Sequence, residues 1–250
     1  MVVLDRDHVA APHVEAAARR PRRPRRALLR WAMIAVALAV IISNAWLAER
    51  DRAGAPAPGS ALEALEALPI REALSDDSSV SGYARDAFGP AWADIDGNGC
   101  DTRNDILARD LSDVVLVDRC VVATGVLDDP YTGARIEFVR GVATSGAVQI
   151  DHVVALEDAW RTGAAQWDSA ERAHLANDPL NLLASDGPAN MGKGSRDAAR
   201  WLPPDEASRC PYVARQVAVK TAYDLSVTPA EYAAIAHVLS ACPAEPLPTR

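Results

Sequence analysis

The sequence predicts an α+β fold, and three observations predict it. β-branched runs cluster between residues 114 and 150, and helical periodicity prevails from 155 onward. The two kinds of segment do not alternate as βαβ units require. The 250 residues suffice for one domain of ordinary size plus extras, and an apolar share of 49% supports a real core. Collagen, coiled coil and wholesale disorder are excluded by composition.

The formal charge of −8 divides unequally along the chain. Residues 1–50 carry nine Arg against four acids, whereas residues 51–250 carry seventeen basic side chains against thirty acidic ones. Residues 1–30 form a basic segment that includes the run Arg19–Arg26. An uncharged apolar stretch follows over 31–48, an apolar helix of eighteen residues. That is near the lower limit for crossing ~30 Å of hydrocarbon. The arginines on its N-terminal side would keep that side cytoplasmic. Two readings stand: a single-pass anchor, or a signal peptide with core Trp31–Ile42 and small residues Ser43 and Ala45 at a cleavage site. A nucleic-acid arm is a third reading of the arginines, weaker because the adjacent span already accounts for them. Both main readings put residues 50–250 outside the cytoplasm, membrane-anchored through 31–48 or secreted.

The cysteines agree with that compartment. Cys100, Cys120, Cys210 and Cys242 all follow the span, and none forms a Cys-x-x-Cys pair of the kind zinc sites use. An even count in an oxidising compartment reads as two disulfides. Of the three pairings, Cys100–Cys120 with Cys210–Cys242 is expected, since each closes a short local loop.

Residues 49–82 read as a linker, rich in Ala, Pro and Gly over 51–60, with one short helix from Ala61 to Ala73 that packs on the domain or spaces it from a membrane. The folded domain is expected over 83–242, with a tail at 243–250. Within it, Asn104–Asp110 reads as a helix, Val114–Val117 and Val121–Leu127 as strands, and Asp129–Gly133 as a turn. Arg135–Arg140 alternates as a half-buried strand, and Val148–Ile150 starts another. Residues 155–176 are mostly helical, Leu180–Leu183 is a short strand, and Ala189–Trp201 is a helix that stops before Pro203-Pro204. Two helices close the domain, Tyr212–Leu225 and Pro229–Ser240, the second with Thr228 as N-cap. Trp92, Trp160, Trp167 and Trp201 are expected in the core.

The chemistry is concentrated in Gln149–Leu156, Asn177–Leu183 and Asn190–Lys193. These segments form a strand ending in Asp151-His152, an insertion, a second strand and a helix. An imidazole suits a general base at neutral pH. An Asp carboxylate and an Asn carbonyl are hard oxygen ligands that suit Mg²⁺. One base beside two such ligands fits metal-assisted attack of water on a phosphodiester. On a continuous helix Asn190, Lys193, Arg196 and Arg200 would share a face, presenting a metal ligand with three phosphate-binding cations. A local patch is required, because an acidic body repels polyanions at long range.

The motifs Asp96–Asp105, Asp129–Gly133, Asp151-His152, Asn177–Leu182, Asn190–Lys193 and Trp201–Pro204 resemble those of exported HNH-type endonucleases. These belong to the His-Me (ββα-metal) finger superfamily and are related to the nuclease domain of modification-dependent restriction enzymes. The resemblance covers about Tyr83 to Cys242. It implies a ββα-metal finger with a helical insertion, flanking strands and C-terminal helices. It implies His152 as general base, Asp151 and Asn190 as ligands of one Mg²⁺ or Mn²⁺, Asn181 as a loop brace and Lys193 as a phosphate contact. Its implied partner is nucleic acid, with DNA favoured, and no obligate protein partner is evident. The departure from the family pattern is the 28 residues between His152 and Asn181.

Outside the finger, Arg103 is a candidate phosphate ligand. Asp94, Asp96 and Asn98, with Asp105 at the twelfth place, have the spacing of a Ca²⁺ loop, although the usual Glu at that place is missing. A turn whose side chains bond their own backbone explains the same residues. The competing functional reading is accordingly an extracellular calcium-binding module with an inactive finger.

Overall fold

The computed structural model describes residues 56–77 and 81–249, together with Met33, Ile34, Val36, Leu38, Val40 and Ile41. Those six are helical and exposed. They belong to a unit, Met1–Ala53, that is separate from Gly54–Arg250. Among the described residues no helix is long and apolar enough to cross a membrane. Most of the span 31–48 lies outside them.

The second unit mixes helices with two small antiparallel sheets, as the sequence predicts. Its first helix, α1 (Ala61–Ala67), is capped by Ser60, whose side chain accepts from the Glu63 amide. It ends six residues before the expected Ala73. Pro69 disfavours helical backbone at Leu68, and the chain continues extended, with Arg71 N–H donating to the Val227 carbonyl. The helix placed in the linker is part of the body. Ala61, Leu65 and Leu68 pack with Val213, Val217 and Ile235, and the Ala61 amide donates to Glu245 in the tail.

Helix α2 (Thr102–Asp110) starts two residues early because Asp101 caps it through the Asn104 amide. It packs with β1 (Ser112–Leu116), β2 (Val122–Asp128) and β3 (Arg135–Val139), a sheet of order β1-β2-β3. Cys100–Cys120 ties the approach to α2 to the β1–β2 connection.

Strands β4 (Val148–His152) and β5 (Leu182–Asp186) pair antiparallel, with Ile150 opposite Ala184 and His152 opposite Leu182. Strand β5 begins later than expected. Asp178 and Asn181 are instead used in a turn, closed by Asn181 N–H donating to the Asp178 carbonyl at 2.9 Å. Arg109 at the end of α2 donates to the carbonyls of Pro179 and Leu182, both at 2.7 Å, and Asp110 accepts from the Ala184 amide. The two-stranded ladder is thereby clamped to the larger sheet.

Between β4 and β5 the stretch 155–176 is mostly helical, as expected, and divides into two helices, α3 (Leu156–Thr162) and α4 (Ser169–Asn177). Gly163, at φ 157°, ends the first. Asp168 opens the second with a reciprocal capping box to Glu171. Helix α5 (Gly187–Lys193) follows β5 directly, capped by Asp186, with Pro188 in its first turn. It stops at Gly194, φ 56°, so the expected helix to Trp201 does not form. Gly187 is required here: a Cβ would fall 2.1 Å from the Gly146 carbonyl oxygen. That close approach seats α5 against the turn Ser145–Ala147 that leads into β4.

Helices α6 (Arg209–Ala222) and α7 (Pro229–Ser240) close the unit, the latter with the expected Thr228 cap. Cys210–Cys242 links the start of α6 to the residues after α7, and both expected pairings are present. In the chain-entropy model a separation of 32 residues is worth about 4 kcal/mol. The four body tryptophans are each half-buried, at the edges of the core.

Candidate functional site

Successive side chains of a strand point to opposite faces, and the end of β4 uses this to divide two tasks. Asp151 turns toward α5 and the Asp129–Gly133 turn. Its Oδ2 accepts from the Tyr131 hydroxyl at 2.6 Å, and its Oδ1 accepts from Lys193 Nζ at 3.0 Å. Lys193 also donates to the His152 carbonyl at 2.8 Å. Burial is the largest influence on the Asp151 carboxyl and raises its pKa, with Lys193 and Tyr131 opposing. The Tyr131 hydroxyl is held well above its ordinary range, chiefly by burial and then by Asp151.

His152 turns toward the insertion. Its Nε2 lies 2.8 Å from the Ala176 carbonyl oxygen in α4. A carbonyl only accepts, so Nε2 carries the proton and the neutral ring keeps its lone pair on Nδ1. Trp92 stacks beside the ring, with centroids 6.2 Å apart and planes 15° apart. Burial pushes the imidazole pKa down to about 4, against the Ala176 hydrogen bond, so the ring is neutral at physiological pH. The loop after His152 is braced by Asn181. Its Oδ1 accepts from the Val154 amide at 2.9 Å, its Nδ2 donates to the Val154 carbonyl at 3.2 Å, and its own carbonyl accepts from Val153.

Asn190 sits on α5 facing β4, with Nδ2 donating to Gln149 Oε1 at 2.9 Å. Asp151, His152 and Asn190 line one open cleft of about 410 Å³, with Tyr83, Arg85 and Glu157 on its other walls. The expected base and the two expected oxygen ligands therefore line one cleft, in which Asp151 and His152 are largely buried.

The expected phosphate contacts do not gather there. Lys193, 0% exposed, is enclosed by its ion pair with Asp151 and cannot present its ammonium to a ligand in the cleft. Arg196 lies beyond the helix, exposed, and donates to the Gly192 carbonyl. Arg200 pairs with Asp76 and Asp197, at 2.6 and 3.5 Å. Arg103 is half-buried and reaches the Val148 carbonyl at 3.3 Å. The shared helical face fails because Gly194 ends the helix.

The loop that carries the calcium spacing is elsewhere on the surface. Asp94 accepts from the amides of Gly97, Asn98 and Gly99, and those bonds hold its carboxyl below the ordinary range despite a desolvation cost. Asn98 donates to Asp96 and Asp105. These bonds build the turn that the same residues also predict.

Among the described residues one group of three acidic side chains converges, Asp158, Asp197 and Glu231, and it is buried. Cations fill it. Lys220 Nζ lies 3.1 Å from Asp158 and 2.8 Å from Glu231, and also donates to the Ser226 carbonyl. Arg161 approaches Asp158, and Arg200 approaches Asp197. The group locks α3, α6 and α7 together. Burial raises Glu231 to about 7, opposed by Lys220 and reinforced by Asp158 and Asp197. A carboxyl with a raised folded pKa adds stability below its unfolded value near 4.5, and loses it as pH climbs through the folded one. The melting temperature should therefore fall between about pH 5 and pH 7. Glu231→Gln should flatten that slope in a thermal-denaturation series, and an unchanged slope would assign it to other groups.

Tyr131, the Ala176 carbonyl, Trp92 and Arg85 were given no site role by sequence, Trp92 being expected in the core. Tyr131 could have been given one, because a tyrosine in a buried turn needs a partner for its hydroxyl. A backbone carbonyl carries no sequence signal.

Residues 101–238, more than half of the chain, match the family model described as GmrSD restriction endonucleases, C-terminal domain. The chain belongs to this family. A protein of Arthroderma benhamiae described as an uncharacterized secreted protein is 36% identical over 189 residues, which is 75% of this chain and 87% of that protein. No solved structure matches. The GmrSD match includes Asp151, His152, Asn181, Asn190 and Lys193, and leaves Tyr83, Arg85, Trp92 and the turn at Asp94–Asn98 outside. Membership points to a nuclease, with nucleic acid as its substrate. The secreted relative and the two disulfides are consistent with an extracellular location.

Proposed function

We propose that this chain is an HNH-type endonuclease that hydrolyses phosphodiester bonds of nucleic acid, DNA before RNA, outside the cytoplasm, with one divalent metal ion. One observation carries the reading: His152 commits Nε2 to a backbone carbonyl, which leaves the Nδ1 lone pair for a proton, and the residue lines the cleft that Asp151 and Asn190 share. With that lone pair the imidazole takes a proton from water as the water oxygen attacks phosphorus. The bond to the 3′ oxygen breaks, that oxygen takes a proton from solvent water to leave as a hydroxyl, and the phosphate stays on the 5′ side. Asn181 holds the loop behind the base, and Trp92 holds the ring plane.

The residues present fit a hard divalent cation. Asp151 accepts from Tyr131 at Oδ2 and from Lys193, whose Nζ lies 3.0 Å from both oxygens, so a metal ion would share this carboxylate with Lys193. The Asn190 amide nitrogen is spent on Gln149, which reserves its carbonyl oxygen as the donor. Two oxygen donors in a cleft with room for water suit Mg²⁺ or Mn²⁺, which keep several waters. When bound there, the ion supplies charge stabilisation at the phosphate and the leaving oxygen. The oxidising compartment required by the disulfides and the secreted relative support action outside the cytoplasm, with the protein either released or held through 31–48.

The test is incubation of the purified protein with Mg²⁺ or Mn²⁺ and plasmid, linear and single-stranded DNA, and RNA. Cleavage should vanish with chelator and return with metal. If every substrate survives both metals, the nuclease reading falls.

A further inference from the structure

We propose that Arg85 is the phosphate-gripping cation of the cleft, holding a phosphodiester next to the one cleaved. The proposal rests on the nuclease reading and supplies what that reading lacks. A polyanion must be captured by a body with thirteen more acidic than basic side chains beyond residue 50. The four cations that sequence suggested are spent or turned elsewhere: Lys193 under Asp151, Arg200 on Asp76 and Asp197, Arg103 on the Val148 carbonyl, and Arg196 outside the cleft lining.

Arg85 has the opposite properties. Among the described residues that line the cleft with Asp151, His152 and Asn190, it is the one cation. It also lines a smaller hollow that shares His152, with Trp92 and Asn177. Arg85 and His152 are thus common to the linings of both hollows. The arginine is exposed, and among the described residues it forms no ion pair, its side-chain hydrogen bond being to the neutral Tyr83 phenol. A planar guanidinium with unspent donors matches phosphate oxygens two at a time.

The residue is also held in place. It begins a short 3-10 turn, Arg85–Phe88, anchored by the fully buried Phe88. Tyr83, Phe88 and Trp160 form an aromatic triangle with centroid separations of 6.2 to 6.3 Å. Arg172 of α4 donates to the Ala87 carbonyl at 3.0 Å. An anchored backbone under an exposed guanidinium reduces the ordering cost of binding. The turn precedes the family's matched range of 101–238, so the grip is supplied by a segment outside the matched module.

The experiment uses the full chain with His152→Ala, so that substrate persists, and a fluorescein-labelled 20-nucleotide DNA, single- and double-stranded, in Mg²⁺. Arg85→Ala should weaken binding about tenfold and lower the slope of log affinity against log salt by about one. Arg85→Lys should restore part of the affinity, and Arg85→Gln should behave as Ala. Arg135→Ala, an equal charge change at an exposed site on β3, should leave affinity and slope unchanged. With His152 restored, Arg85→Ala should raise KM far more than it lowers kcat, with an unchanged melting temperature. If the native protein cleaves and the Arg85 variants bind with native affinity and slope, this assignment alone is overturned. If the native protein neither binds nor cleaves, the nuclease reading fails first.

Discussion

His152→Ala should lower the cleavage rate by about 10²- to 10⁴-fold, the range a positioned general base contributes, while the protein stays folded. The ring is 8% exposed and its losses are local: one hydrogen bond to Ala176 and one stacked contact with Trp92. The core clusters around it are built from other residues. Single-turnover cleavage of labelled DNA gives the rate, and thermal denaturation gives the fold. His152→Gln is a useful companion, since its amide can still donate to the Ala176 carbonyl but offers no basic nitrogen. It should be as inactive as the alanine variant and more stable. A variant at position 152 that kept native turnover would remove the imidazole from the mechanism.

The second large effect is expected at Lys193, and it should appear in stability. The ammonium is wholly enclosed and compensates the Asp151 carboxylate, itself only 5% exposed. Lys193→Met leaves that charge buried without its counter-ion, at a cost of about 3–5 kcal/mol. For a body of this size the melting temperature should drop on the order of 10 °C. Activity should fall with it, because Asp151 loses the contact that fixes one oxygen. Adding Asp151→Leu to Lys193→Met should recover much of the stability, since an apolar pair of similar volume needs no compensation, but none of the activity. A phosphate-contacting lysine would behave differently: Lys193→Met would keep the native melting temperature and raise KM. That outcome would reverse the present assignment.

The contrast at Lys193 shows what was legible in the sequence and what was not. The strand–insertion–strand–helix order around Asp151-His152 and Asn190 was readable, because periodicity and turn residues are local signals. So were the Thr228 cap and both disulfide pairings. The length of α5 was misread. Gly194 was available as a stop signal, but Asn190, Lys193, Arg196 and Arg200 at helical spacing suggested continuity. The insertion was legible as mostly helical, and Gly163 followed by the Asp168–Glu171 capping pair marks where it divides. The fate of Lys193 depends on Tyr131 and Asp151 closing over it from distant parts of the chain. Arg85 entered the site for the same reason: Trp160 and Arg172, which hold its turn, lie 75 and 87 residues further along the chain.

The bond from His152 to residue 176 has an evolutionary corollary. Its acceptor is main chain, so any amino acid at 176 still offers it, and substitution there cannot by itself switch the ring's protonation pattern. Drift in the insertion is tolerated as long as α4 keeps its path. Tuning of this base must come instead from the neighbours that flank the ring, which are free to vary one at a time.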